Sequence, residues 1–66
     1  MNVMVNGFIY DFKENVSMED IIEELKITNL NIIAEINGEI VRRRDFGNRK
    51  IGENDRVEIV QFVGGG

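Results

Sequence analysis

The run Arg56-Val57-Glu58-Ile59-Val60-Gln61-Phe62-Val63 passes directly into Gly64-Gly65-Gly66, and that glycine end is where the residues best suited to chemistry lie. Three extended residues reach about 10 Å at most, enough to carry a carboxylate from a globule into another protein's active site. Lacking Cβ atoms, they fit a narrow channel and accept backbone angles closed to other residues. Taken alone, the tripeptide is better read as a linker or a frayed end. What raises its interest is how little else the chain offers. There is no Cys and no His, which removes thiol nucleophiles, thiolate zinc sites, the usual general base and the commonest metal ligand. Only Ser17 and Thr28 carry aliphatic hydroxyls, and neither has an Asp-His type activator. Twelve acidic residues show no calcium-loop spacing and read as solvated surface.

Charge and size narrow the partners. A net charge of −4 over 66 residues opposes a sequence-independent grip on nucleic acid, whose affinity comes mainly from neutralised phosphates. The charge is segregated: residues 1–41 hold eight acids and two bases, and residues 42–66 hold six bases and four acids. Arg42-Arg43-Arg44 and Arg49-Lys50 therefore lie in the part nearest the tail, where they either steer an acidic partner or form a solvated loop. No basic and apolar leader opens the chain and no run reaches bilayer length. The expectation is a cytoplasmic protein without membrane contact, built as one domain over residues 1–63 with a flexible tail over 64–66.

The elements that must hold the tail can be read from turn chemistry and periodicity. Asn6-Gly7 and Asn37-Gly38 each sit between apolar runs and predict two-residue hairpins, because both turn positions require positive φ. In the second strand, Phe8, Tyr10 and Phe12 share one face. Ser17 predicts a helix N-cap with Asp20 as its reciprocal partner, and Met18, Ile21, Ile22 and Leu25 supply the apolar stripe. That helix is expected to end between Lys26 and Asn29. Phe46 and Ile51 are expected to anchor the basic loop against the core. Both faces of the last strand are apolar, Val57, Ile59 and Val63 on one and Val60 and Phe62 on the other, which suits a central strand. The resulting plan is α+β: a mixed four- to five-stranded sheet crossed by one main helix, with the first and last strands parallel. It matches the β-grasp, or ubiquitin-like, fold.

Three blocks of sequence resemble the ThiS family of sulfur carriers in thiamine biosynthesis: Val3-Met4-Val5-Asn6-Gly7, Ala34-Glu35-Ile36-Asn37-Gly38-Glu39-Ile40-Val41-Arg42-Arg43, and Asn54 through Gly66. Arg42 stands where that family usually has proline, and Asn54 where it usually has glycine. The resemblance implies a carrier that is not an enzyme and binds no cofactor itself. A ThiF-like adenylyltransferase would use ATP to activate Gly66, and a donor such as a cysteine desulfurase would supply sulfur. A thiazole synthase would then receive the sulfur from a Gly66 thiocarboxylate. Gly64 and Gly65 form the slim approach, and Val60, Phe62 and Arg43 are the candidates for partner docking. Two alternatives stay open at this level: a carrier for molybdopterin synthesis, and a non-covalent ubiquitin-like interaction module. An RNA-binding β-grasp domain is disfavoured by the acidic balance.

Overall fold

The computed structural model describes residues 1–62. Two hairpins and a final strand build a five-stranded sheet crossed by one α-helix: β1 (Asn2–Val5), β2 (Phe8–Asp11), α1 (Met18–Glu24), β3 (Ile32–Ile36), β4 (Glu39–Arg42) and β5 (Arg56–Gln61). Strand order is β2-β1-β5-β3-β4, so the last strand is the central one. It runs parallel to β1 and antiparallel to β3, the β-grasp arrangement expected from the sequence. None of the described helices is long and apolar enough to cross a membrane.

Local chemistry explains each boundary. Asn6 and Gly7 adopt φ of 49° and 87°, and Asn37 and Gly38 adopt 53° and 87°, the primed-turn geometry that matches strand twist. Asn54 also takes a positive φ, 68°, a conformation asparagine tolerates where other side chains strain. At the start of α1, Ser17 Oγ accepts from the Asp20 N–H at 3.1 Å and Asp20 Oδ2 accepts from the Ser17 N–H at 2.9 Å, a complete capping box. The helix closes earlier than expected. Leu25 is its C-cap and Lys26 turns left-handed at φ 59°. There the Lys26 N–H donates to Glu23 O and the Ile27 N–H to Ile22 O, both at 3.1 Å. This is a Schellman closure made without the usual glycine, which is why the composition gave no stop signal at that point.

The core lies between α1 and the sheet face beneath it. Val3, Val5, Ile32, Ala34, Ile36, Val57 and Ile59 point inward from the strands to meet Met18, Ile21 and Ile22 of the helix, and all are buried. The basic segment is not a loose loop: Arg43–Asn48 form a 3-10 helix that delivers Phe46 into the core with no exposed surface. Each such side chain contributes about 1.5–3 kcal/mol by leaving water. Ile51, also buried, is held by its N–H donating to Val16 O at 3.0 Å, while the Met18 N–H donates to Arg49 O at 2.8 Å. These bonds tie the entry of the helix to the exit of the 3-10 segment. The expected aromatic stripe of the second strand divides: Phe12 is buried against the core, whereas Phe8 is 70% exposed. The strand lies at the sheet edge, where α1 no longer covers it.

Candidate functional site

β5 is the strand that leads toward the glycines, and its setting is the site. Alternation assigns its side chains. Val57 and Ile59 face α1, while Arg56, Glu58, Val60 and Phe62 face away from the helix. Register brings Val60 of β5 and Arg42 of β4 to either side of Ile33 on β3. Val60 and Phe62 are each 48% exposed and Ile40 of β4 is 64% exposed. The uncovered face of the sheet therefore carries an apolar patch with a cation in the same row. Val60 and Phe62, the docking candidates read from the sequence, are brought together here. Val63, Gly64, Gly65 and Gly66 lie outside the described residues.

Arg43 is not brought to that patch. β4 ends at Arg42, and the 3-10 helix starting at Arg43 carries the chain over the sheet edge to the helix side. There the Arg43 guanidinium donates to the Glu19 carboxylate of α1 and lies 5.3 Å from the centroid of the Phe46 ring. Its role is to pin the 3-10 segment to the helix. A partly exposed ion pair of this kind contributes about 0–1 kcal/mol by itself, and the ring contact adds to it. The cation that shares a row with Val60 is Arg42, which the sequence reading had grouped with the loop.

The two turn asparagines do more than supply positive φ. Asn6 Oδ1 accepts from the Ile59 N–H at 2.7 Å and Asn6 Nδ2 donates to Ile59 O at 3.4 Å. At the other end of β5, Asn37 Oδ1 accepts from the Arg56 N–H at 2.9 Å, and Asn37 Nδ2 donates to the Asp55 carboxylate at 2.9 Å. Both hairpins thus use a side-chain amide to clamp the same central strand, one at its start and the other at Ile59, just past the end of β1. Sequence reasoning used these residues only for turn geometry. The available signal was the choice of asparagine in both turns, since its amide can stand in for a backbone peptide. Beyond the clamp, Asn29 Nδ2 donates to Gln61 Oε1 at 2.9 Å and the Phe62 N–H donates to Asn31 O at 3.0 Å, holding the last described residues against the loop before β3.

Titration adds one feature away from this face. The Ser17 backbone N–H beside Asp20, together with the Ser17 hydroxyl, holds the Asp20 carboxyl below its ordinary value. That shift belongs to the helix cap. Among the described residues no group of three His, Cys, Asp or Glu side chains is placed to hold a metal ion.

The ThiS family model matches residues 2–66. The chain belongs to the ThiS family. It is 32% identical over 54 residues to the sulfur carrier protein ThiS of Bacillus subtilis, covering 82% of each chain. It is 30% identical over its whole length to a thiazole synthase of Paramagnetospirillum magneticum, of which it spans only 20%. Among solved structures, it superposes on the thiamine biosynthesis protein ThiS of Geobacter metallireducens with a TM-score of 0.85 at 30% identity, covering all of both chains. The likeness runs through the helix, both hairpins and the central strand, so the β-grasp architecture is shared in full.

Proposed function

We propose that this ThiS-family chain is a sulfur carrier for thiamine biosynthesis whose reacting group is the Gly66 carboxylate. The observation that carries the reading is the family match, which runs to residue 66 in a chain with no cysteine to hold sulfur on a side chain. A carboxylate is a poor acyl donor, so a partner must first activate it. One carboxylate oxygen attacks the α-phosphorus of ATP and expels pyrophosphate, giving an acyl adenylate. A persulfide sulfur then adds to the acyl carbon and expels AMP. A second thiol cleaves the resulting S–S bond and leaves a thiocarboxylate on Gly66, anionic near neutral pH and more nucleophilic than the original group. The chain is a co-substrate throughout. ATP is bound by the partner, because no G-x-x-x-x-G-K-[ST] loop is present here.

What this chain contributes is position. The Asn37 and Asn6 clamps hold β5 at its start and at Ile59, Gly64 and Gly65 pass through a channel closed to side chains, and Val60, Phe62 and Arg42 offer a docking patch toward the end of the strand. The acceptor is proposed to be a thiazole synthase. Support comes from the Paramagnetospirillum magneticum and Magnetococcus marinus relatives named thiazole synthase, each of which contains a segment like this chain as 20% of its length. The adenylating partner and the sulfur donor are proposed as a ThiF-like adenylyltransferase and a cysteine desulfurase.

The deciding experiment is intact mass spectrometry after incubation with the adenylating protein, ATP and a sulfur source. The expected product is heavier by the difference between one sulfur and one oxygen, with the change mapped to Gly66. An unchanged mass overturns the carrier reading. An alanine appended after Gly66 is expected to abolish the conversion, and full conversion of that variant would move the reaction elsewhere.

A further inference from the structure

The two sides of β5 are not treated alike. The Asn37 N–H donates to Arg56 O at 2.8 Å and the Phe62 N–H to Asn31 O at 3.0 Å, so the peptide groups of Arg56, Glu58, Val60 and Phe62 are directed at the β3 side. Those of Val57, Ile59 and Gln61 are directed at the β1 side. On that side the sheet runs out early. β1 stops at Val5, which lies opposite Val57, because Asn6-Gly7 reverses the chain. β5 continues to Gln61, still paired with Ile32 of β3. The Asn6 N–H donates to Val57 O at 2.9 Å, and the Asn6 side chain then covers both peptide groups of Ile59. The next pair facing the same way, the N–H and C=O of Gln61, has no partner among the described residues. Its own side chain is turned to Asn29.

This leaves a lane one strand wide beside a central strand, beginning at the Asn6-Gly7 turn. Cavities open on both faces of the lane where it begins. On the uncovered face, one of about 430 Å³ is bounded by Met4, Gly7, Glu58 and Val60. On the helix face, one of about 310 Å³ is bounded by Phe8, Tyr10, Leu25 and Ile27. A strand entering the lane alternates its side chains between the two. The true sheet edges carry charges that discourage pairing, Asp11 on β2 and Glu39 with Arg42 on β4. The lane beside Gln61 has no such guard on its own residue.

We infer that this lane is a strand-addition site. An extended segment of the adenylating protein pairs with the Gln61 N–H and C=O, continuing the row begun by Asn6, and places an apolar side chain against Phe8, Leu25 and Ile27. Main-chain bonds then supply affinity and the paired cavities supply specificity. The inference rests on the carrier reading and gives it a means of aim: the grip falls five residues before Gly66, close enough to direct the reacting carboxylate. It also explains why Phe8 remains exposed.

Gln61→Pro removes the N–H and blocks the lane while leaving every bond to β3, because the Gln61 peptide does not face β3. Gln61→Ala loses the same side chain but keeps the N–H. With the adenylating protein and ATP, the carrier KM of Gln61→Pro is expected to exceed that of Gln61→Ala at least tenfold at similar kcat, with the two melting within a few degrees of each other. Equal KM values overturn the inference. Should the proline variant fail to fold, amide hydrogen exchange on the wild-type chain decides. Exchange at Gln61 is expected to slow at least tenfold on addition of the adenylating protein, and an unchanged rate overturns strand addition. Failure of the wild-type chain to be adenylated at all sinks the carrier reading beneath it, whereas adenylation without any change at Gln61 sinks strand addition alone.

Discussion

The face of the sheet beneath α1 and the face turned away from it carry apolar residues at the same two-residue spacing, yet one is core and the other is surface. Val57 and Ile59 are buried, while Val60 on the same strand and Phe62 just past its end are each about half exposed. The described residues hold one α-helix, which covers one face of the sheet. The second apolar row therefore adds little to folding and much to what the outside of the molecule offers a partner. The comparison teaches that the central strand carries two rows with different fates, one anchoring the domain and the other left at the surface, where the proposed function uses it for docking.

The contrast is sharpest at Phe46. Phe46→Ala is expected to cost about 3–5 kcal/mol, a large part of the stability of a small domain, as measured by urea denaturation. A cost below about 1 kcal/mol would show that the helix side is not the sole anchor. On the other face, combining Val60→Asp with Phe62→Asp is expected to leave stability within about 0.5 kcal/mol of wild type. The same pair should raise the KM for carrier conversion at least tenfold, equivalent to about 1.4 kcal/mol. Unchanged kinetics would show that the outer row is merely solvated. Ser17→Ala tests the helix entry and should lower stability by about 1 kcal/mol without altering the KM, since the cap lies on the helix side.

The smallest expected effect is in acid. Because the folded Asp20 pKa lies below its ordinary 3.8, its contribution is fully present above that value and is lost as pH falls through the folded pKa. The difference in melting temperature between wild type and Asp20→Asn should therefore be at its full size at pH 7 and shrink below pH 3.8. A difference that grew in acid would contradict the capping geometry.

Much of the framework was legible from neighbours in sequence. Asn-Gly can hardly be anything but a tight turn between two strands, Ser17 and Asp20 cap each other across one helical turn, and Val57 to Phe62 carry apolar residues on both faces as a central strand does. The helix stop was hidden because Lys26 adopts a left-handed conformation usually left to glycine. Arg43 was misplaced for a different reason. Its neighbours Arg42 and Arg44 have the same charge, and only the start of the 3-10 helix separates the arginine that shares a row with Val60 across Ile33 from the one held by Glu19 and Phe46. The exposure of Phe8 was equally hidden, since alternation assigns a residue to a face without saying how far the helix extends over it.

Local rules, from turn dihedrals to capping and apolar period, thus set the order and type of the elements, and the exclusion of thiol and imidazole chemistry follows from composition alone. Which apolar row is covered, which arginine reaches the outer face, and that both turn amides close on β5 depend on contacts between residues far apart in the chain. Asn6 and Ile59 illustrate the point: each is unremarkable in its own segment, and their bonds exist only because parallel pairing of the first and last strands brings one turn against the strand that leads to the tail.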